Sequence, residues 1–347
     1  MGLRIALVVP PFIRVPPSGY GGTELVAADL ATALTRSGHD VTLFASGDSL
    51  IDGCETRSLF SRPLWPPEPA AERDHAVFAA RAIAEGSFDI VHSHTPAFVP
   101  LARRLRVPVV HTVHHVSLPE FDCLYRAHSE TSYVCISARQ AELMSTAFQA
   151  TPYVIHHGLD SSRYQEGSGG AGDALFLGRF DEVKAPHLAV RAAREAGLSL
   201  RLAGRPHDGD YFERVLLPEL ASCAVQQVGE LGGDTKISAL GSAQVLVFPS
   251  TWEEPFGLVL IEAMLCGTPV VALRRGAVPE IVDQGVTGMI VEAPEELGRA
   301  LSIATKLDRR AVRARALSRF SAGRMASEYL RTYEEVICGG TRRLLRL

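Results

Sequence analysis

The stretch PSTWEEPFGLVLIEAMLCGTPVVALRRGAVPEIVD, from Pro249 to Asp283, decides the reading of the fold. The β-branched run Val245–Phe248 precedes it; inside it, Pro255, Phe256 and Gly257 open a helix expected from Leu258 to Leu265, and the strand run Pro269–Ala272 follows. A strand, a helix and a further strand in this order make one unit of a parallel α/β sheet. The start of a helix offers unpaired backbone N–H groups to an anion. Glu254 and Glu262 flank that start, eight positions apart. Two carboxylates with free amides between them suit a ligand that carries both hydroxyls and phosphates, such as a nucleotide-sugar.

Outward from this stretch, short apolar runs alternate with Ala-, Leu- and Arg-rich helical patterns. Strands are expected at Arg4–Val9, Val41–Phe44, Ile90–His92, Val107–His111, Tyr133–Ile136 and Tyr153–His156, and again at Ala174–Leu177, Ser199–Ala203, Ala224–Val228, Val245–Phe248, Pro269–Ala272 and Gly288–Val291. The segment SSRYQEGSGGAG, Ser161–Gly172, is rich in Gly and Ser without apolar periodicity and reads as a flexible linker. The expected division is an N-terminal domain over 1–160, a linker over 161–172, a C-terminal domain over 173–322, and a final helix over 323–347 that returns to the N-terminal domain. The fold class is α/β, with two doubly wound, Rossmann-like domains facing across a cleft, where ligands bind at the carboxyl ends of the strands.

Composition narrows the partners. The chain has 347 residues, of which 46 % are hydrophobic and 21 % charged, and a formal net charge of −4. That charge gives no general attraction to nucleic acid, so an anion site must be local. The six cysteines lie far apart with no C-x-x-C pair and read as reduced, structural thiols. No apolar run approaches the ~18 residues that span a bilayer, and no leader precedes the first strand, so a cytoplasmic location is expected. The region Arg299–Arg319, with Arg309, Arg310, Arg313 and Arg315, reads as a solvated helix face, with peripheral contact to an anionic membrane as the alternative. The Pro-rich run RPLWPPEP, Arg62–Pro69, is a surface loop or part of a flap.

The run GYGGTE, with Gly19, Gly21 and Gly22, nearly matches the dinucleotide fingerprint, but Glu24 stands where its third glycine belongs. A nicotinamide cofactor is therefore disfavoured, and the loop is either a phosphate- or sugar-binding turn or a structural one. Histidines gather in VHSHTP (His92, His94), VVHTVHH (His111, His114, His115) and VIHHGLD (His156, His157). Without H-E-x-x-H they do not read as a metal site; one hydrogen-bonds a sugar hydroxyl and the others are structural. Gly178 and Arg179 follow the strand ALFLG, and Lys184 begins the next helix; the two cations either neutralise a diphosphate or form surface ion pairs. If the residues between Glu254 and Glu262 were helical, eight steps of ~1.5 Å would separate them by about 12 Å. That exceeds the ~5–9.5 Å of a glycoside hydrolase pair, so separate roles fit better.

Taken in order, GYGGTE, GRFDEVK, Ala203–Gly204, VGEL (Val228–Leu231), FPSTWEEPFGLVLIEAMLCGTPVVA and PEIV resemble a family-four retaining glycosyltransferase of the GT-B fold over nearly the whole chain. The resemblance implies that Arg179 and Lys184 clamp a donor diphosphate and that Glu262 holds the donor ribose. It gives Glu254 and the amides around Phe256, Gly257, Leu258 and Val259 the donor sugar and leaving phosphate. It places Gly21 and Gly22 near the diphosphate, Gly229, Glu230 and Leu231 at the base, and His114 beside the reacting sugar. It requires no metal or other cofactor; the donor is a nucleoside-diphosphate-sugar and the acceptor an unidentified hydroxyl. The chain departs from the family pattern at His157–Gly158, where Asn commonly precedes Gly, and at Gly276–Ala277, which Arg274 and Arg275 precede. A GT-B epimerase or hydrolase, or a sugar-nucleotide-binding protein without activity, is the alternative.

Overall fold

A computed structural model describes residues 2–170, 172–220 and 224–344. They form two compact units, one of Met1–Leu159 with Ala322–Leu347 and one of Asp160–Ser321. In the first unit the strands are β1 (Arg4–Val8), β2 (Asp40–Phe44), β3 (Glu55–Arg57), β4 (Ile90–Ser93), β5 (Val109–Val113), β6 (Ser132–Cys135) and β7 (Tyr153–Val154). They pair in parallel in the order β3-β2-β1-β4-β5-β6-β7. In the second unit, β8 (Asp173–Leu177), β9 (Ser199–Ala203), β10 (Val225–Gly229), β11 (Val245–Phe248), β12 (Val270–Leu273) and β13 (Gly288–Val291) pair in parallel as β10-β9-β8-β11-β12-β13. In both sheets the order reverses beside the first strand of the unit, which opens a crevice at its carboxyl end.

The central strands are apolar without alternation because helices cover both faces. β11 and β12 are buried at every position, and Val245, Val247, Val271 and Leu273 share a core with Phe176, Phe180 and Leu202. In the first unit Ala6, Val8, Phe44, Val91 and Phe98 form a comparable core. All twelve expected strands are present; β3 is additional, a three-residue edge strand whose sequence, Glu-Thr-Arg, has no apolar signal. The helix expected from Leu258 to Leu265 has those bounds.

The stretch read as a flexible linker is tied to the second unit. Tyr164 is buried, the N–H of Gly167 donates to the carbonyl of Cys266 at 2.9 Å, and Arg309 Nε donates to the carbonyl of Gly167 at 3.0 Å. The glycines permit close backbone approach here: a Cβ on Gly167 would lie 2.0 Å from the Gly241 carbonyl oxygen. The arginine-rich region is a solvated face only in part: Arg310 and Arg315 are exposed, while others turn inward for a similar reason. Arg309 also donates to the carbonyls of Gly241 and Ala243, Arg313 to that of Leu265, and Arg315 and Arg319 pair with Asp283. These guanidinium groups cap carbonyls and a carboxylate inside the unit.

The final helix, Ala322–Leu344, packs in the first unit against the helix Gly22–Arg36. Among the described residues no helix is long and apolar enough to cross a membrane. Cys54, Cys123, Cys135, Cys266 and Cys338 are free thiols, and Cys223 lies outside the described residues.

Candidate active site

In the second unit, β8 ends at Leu177 and the chain turns through Gly178 and Arg179 to Lys184 before the helix Pro186–Ala196. Asp181 organises this turn: its Oδ1 accepts the N–H of Lys184 at 2.9 Å and its Oδ2 pairs with Arg179 Nε at 3.1 Å. Ala185 follows at φ 49°, the one left-handed non-glycine residue among those described, which costs about 1–2 kcal/mol and sets the angle at which Lys184 leaves the turn. Lys184 Nζ bonds Glu254 Oε2 and lies 5.7 Å from the centre of the Phe248 ring, so the turn after β8 and the loop after β11 meet at this ion pair. About a fifth of each side chain is exposed, enough for a ligand to reach the pair.

The loop that carries Glu254 is held through its backbone. The Glu254 carbonyl accepts the N–H of Ala277 at 2.9 Å. Gly276, at φ 52°, admits this contact, because a Cβ there would lie 2.3 Å from the same carbonyl oxygen. Gly257, at φ 90°, then turns the chain into the helix Leu258–Leu265, with Phe256 buried edge-on to Phe320 behind it. The amides of Leu258 and Val259 belong to the first turn of that helix and lack partners from its own ladder.

Glu262 has other partners. It is buried, and its Oε1 accepts from Tyr164 Oη at 3.0 Å and forms an ion pair with Lys236 Nζ at 2.5 Å. Oε2 is left without a bond to a described residue, so one carboxylate oxygen is neutralised and anchored while the other can accept hydroxyls. Glu254 and Glu262 thus stand in separate environments. Gly229, at φ 72°, ends β10 and its carbonyl accepts the N–H of Gly204 at 2.8 Å; Glu230 is exposed and pairs with Arg205 at 3.1 Å, and Leu231 is half-buried.

In the first unit, Gly21 caps the helix Gly22–Arg36, and Glu24 in its first turn is buried, which pushes its carboxyl up to about 7. A Cβ on Gly21 would lie 3.0 Å from both Glu24 Oε2 and Pro17, so the glycine and the glutamate replacing the third fingerprint glycine are packed together. Past the ends of β4 and β5 the imidazoles converge. His94 Nδ1 lies 2.8 Å from His114 Nε2, His114 stacks on His157 at 5.4 Å, and His92 lies 4.3 Å from His94. His115 turns away to Tyr125 Oη at 2.6 Å and to the ring of Phe121, so His114 is the member of that pair that joins the cluster. Arg324 of the last helix donates to the carbonyls of His156 and His157 at 2.8 and 2.7 Å and fixes the third histidine segment. Burial first, then neighbouring imidazoles, hold His92, His94 and His114 well below the usual histidine range; His111 and His157 are lowered to about 3. All five are neutral rings near pH 7. Among the described residues no group of three or more His, Cys, Asp or Glu side chains is arranged to hold a metal ion.

The sequence matches known proteins across both units. A family model described as glycosyl transferases group 1 matches residues 162–317, and one described as glycosyltransferase family 4 matches residues 20–163. The D-inositol 3-phosphate glycosyltransferase of Actinosynnema mirum is 30 % identical, over 78 % of this chain and 80 % of that protein. The chain belongs to the group 1 glycosyltransferases of family 4. Among solved structures, AviGT4, a glycosyltransferase involved in avilamycin A biosynthesis, is 26 % identical with a TM-score of 0.78 over 97 % of this chain and 98 % of that one. Anabaena HepE, solved in complex with UDP-glucose, shares the fold at 20 % identity, with a TM-score of 0.70 over 96 % and 100 % of the two chains. This glycosyltransferase is therefore of GT-B type, and its two sheets are the two Rossmann-like domains of that fold.

Sequence reasoning on this glycosyltransferase missed Lys236 and Tyr164. Lys236 sits in an unremarked helix, Gly233–Ser242, and Tyr164 within the apparent linker, 98 positions from Glu262. An isolated aromatic in a Gly/Ser-rich run was the available signal for Tyr164. Nothing local marked Lys236.

Proposed function

We propose that this glycosyltransferase moves a sugar from a nucleoside-diphosphate-sugar to an acceptor hydroxyl with retention at the anomeric carbon. The observation that carries the reading is the second unit's constellation: Lys184 bonded to Glu254 beside the glycine-opened helix, and buried Glu262 with one oxygen kept free. Glu262 Oε2 accepts the donor ribose hydroxyls. Arg179, Lys184 and the amides of Leu258 and Val259 meet the diphosphate, and Glu254, released from Lys184 as the phosphates arrive, turns to the sugar. Charge that grows on the leaving diphosphate is then stabilised by groups already in place, which is where such sites gain most of their rate. In this scheme the leaving phosphate oxygen takes the acceptor proton, His114 meets the donor sugar, and no metal is needed.

One likeness supports the donor class, since HepE was solved with UDP-glucose; the Actinosynnema relative, named D-inositol 3-phosphate glycosyltransferase, supports transfer of a sugar. The expected setting is the cytoplasm, where nucleotide-sugars are made. A thermal-shift screen against UDP-, GDP-, ADP- and dTDP-sugars tests the reading, since a ligand of the native state raises the melting temperature by mass action. The stabilising donor, incubated with hydroxyl acceptors, is expected to give a glycoside of unchanged anomeric configuration by NMR. No shift with any donor, or an inverted product, would overturn the donor or the retention assignment respectively. Epimer or free sugar formed at full rate from donor alone would point to an epimerase or hydrolase instead.

A further inference from the structure

Within the histidine cluster, the bonding of His94 is incomplete in an informative way. His92 is fully bonded, with Nδ1 at 2.7 Å from Tyr333 Oη and Nε2 at 2.8 Å from Thr112 Oγ1, which itself lies 2.8 Å from Tyr329 Oη. His94, only 3 % exposed, has Nδ1 on His114 Nε2 at 2.8 Å, while its own Nε2 is buried without a partner. Since both rings are neutral, one of the two facing nitrogens carries the proton and the other accepts it.

The orphan nitrogen decides which. If His114 were the donor, His94 would carry its proton on Nε2, and a buried N–H would be left unbonded, the rarer and more costly kind of orphan. If His94 is the donor, its Nε2 is a bare lone pair, which burial penalises less. The second arrangement makes His114 the Nδ1–H tautomer. His114 Nδ1 has no partner among the described residues, so its proton is available to a ligand.

We infer that His94 is a positioning residue that donates from Nδ1 to His114 Nε2 and thereby fixes His114 as a hydrogen-bond donor at Nδ1, able to donate to an oxygen of the bound donor sugar. This inference rests on the proposal that His114 meets that sugar. Stacking on His157 at an interplanar angle of 19° holds the plane of the His114 ring, and the bond from His94 fixes its rotation within that plane. The other nitrogen of a histidine sets the tautomer of the working one by the same logic in many sites.

Nitrogen NMR of the full-length protein labelled with 15N-histidine, with His114 assigned from the spectrum of His114→Leu, tests the tautomer without any substrate. A protonated Nδ1 and bare Nε2 on His114 are expected; the reverse would overturn the inference, whatever His114 does in the reaction. His94→Leu is expected to move His114 toward the Nε2–H tautomer and to lower kcat/KM for the donor by about 5- to 10-fold. His94→Asn, whose amide nitrogen falls near the Nδ1 position, is expected to restore most of that loss; equal defects in the two variants would reduce His94 to packing. Unchanged kcat/KM in His114→Leu would instead remove His114 from the donor sugar and leave the tautomer as a structural fact only.

Discussion

Lys184 joins the turn after β8 to the loop after β11. Its amide is held by Asp181, the next residue is forced into a left-handed conformation, and its ammonium group bridges to Glu254 beside Phe248. In the free protein the cation is neutralised by Glu254; a diphosphate would replace that carboxylate as its partner. Lys184→Ala is expected to lower kcat/KM for the donor by about 30- to 150-fold, the equivalent of about 2–3 kcal/mol for a charge-assisted bond in a partly dry site. Steady-state kinetics on a variant with an unchanged melting temperature checks this, and unchanged efficiency would take Lys184 out of the diphosphate clamp. The loss of Lys184 leaves Glu254 as an unpaired, mostly buried carboxylate, so Lys184→Arg, which keeps the charge, should recover part of the loss.

At the scale of elements, the site is built where three pieces meet on Glu262: the helix Leu258–Leu265 that carries it, the helix Gly233–Ser242 that supplies Lys236, and the segment before β8 that supplies Tyr164. This arrangement explains what could be read from the chain and what could not. Strands and the helix after Gly257 were legible because burial on both faces forces continuous β-branched runs, and the start of a helix carries local chemistry. The edge strand Glu55–Arg57 was not, since three polar residues at a sheet edge need no apolar pattern. The partners of Glu262 depend on packing between elements distant in sequence, and a lone lysine or tyrosine does not announce such a contact. His114 was separable from His115 only weakly by sequence; the bonds from His115 to Tyr125 and to the Val116 carbonyl make the distinction physical. Lys236→Met removes one of the two partners of Oε1 and is expected to raise the donor KM by about 5- to 10-fold with kcat little changed, because on the proposed reading Glu262 holds a ribose that is bound equally before and during the reaction. A fall in kcat at constant KM would place the Lys236–Glu262 pair near the reacting bond instead.

Over the whole molecule, the two units share the strand order around their first strand but differ in their buried histidines. His92, His94, His111, His114 and His157 all belong to the first unit, and burial lowers every one of them, His111 and His157 to about 3. In the unfolded chain each takes up its proton near the ordinary histidine value of 6.5, whereas the native rings stay neutral well below it. The unfolded state therefore binds more protons throughout this interval, and stability rises with pH there. The contribution is complete above about pH 6.5 and is lost as the pH falls, by up to ~1.4 kcal/mol per pH unit for each histidine. Glu24 in the same unit, raised to about 7, acts in the opposite sense, but it is one group against five, so the net effect of acid on this unit is destabilising. In the second unit His187 is lowered by partial burial. Hydrogen exchange between pH 7.5 and pH 5, corrected for the intrinsic pH dependence of amide exchange, is expected to show β4, β5 and β6 losing protection first while β8, β11 and β12 keep theirs. Full protection of β4–β6 at pH 5 would mean that the imidazoles are hydrated enough to titrate in place, and that their burial does not govern the acid stability of the first unit.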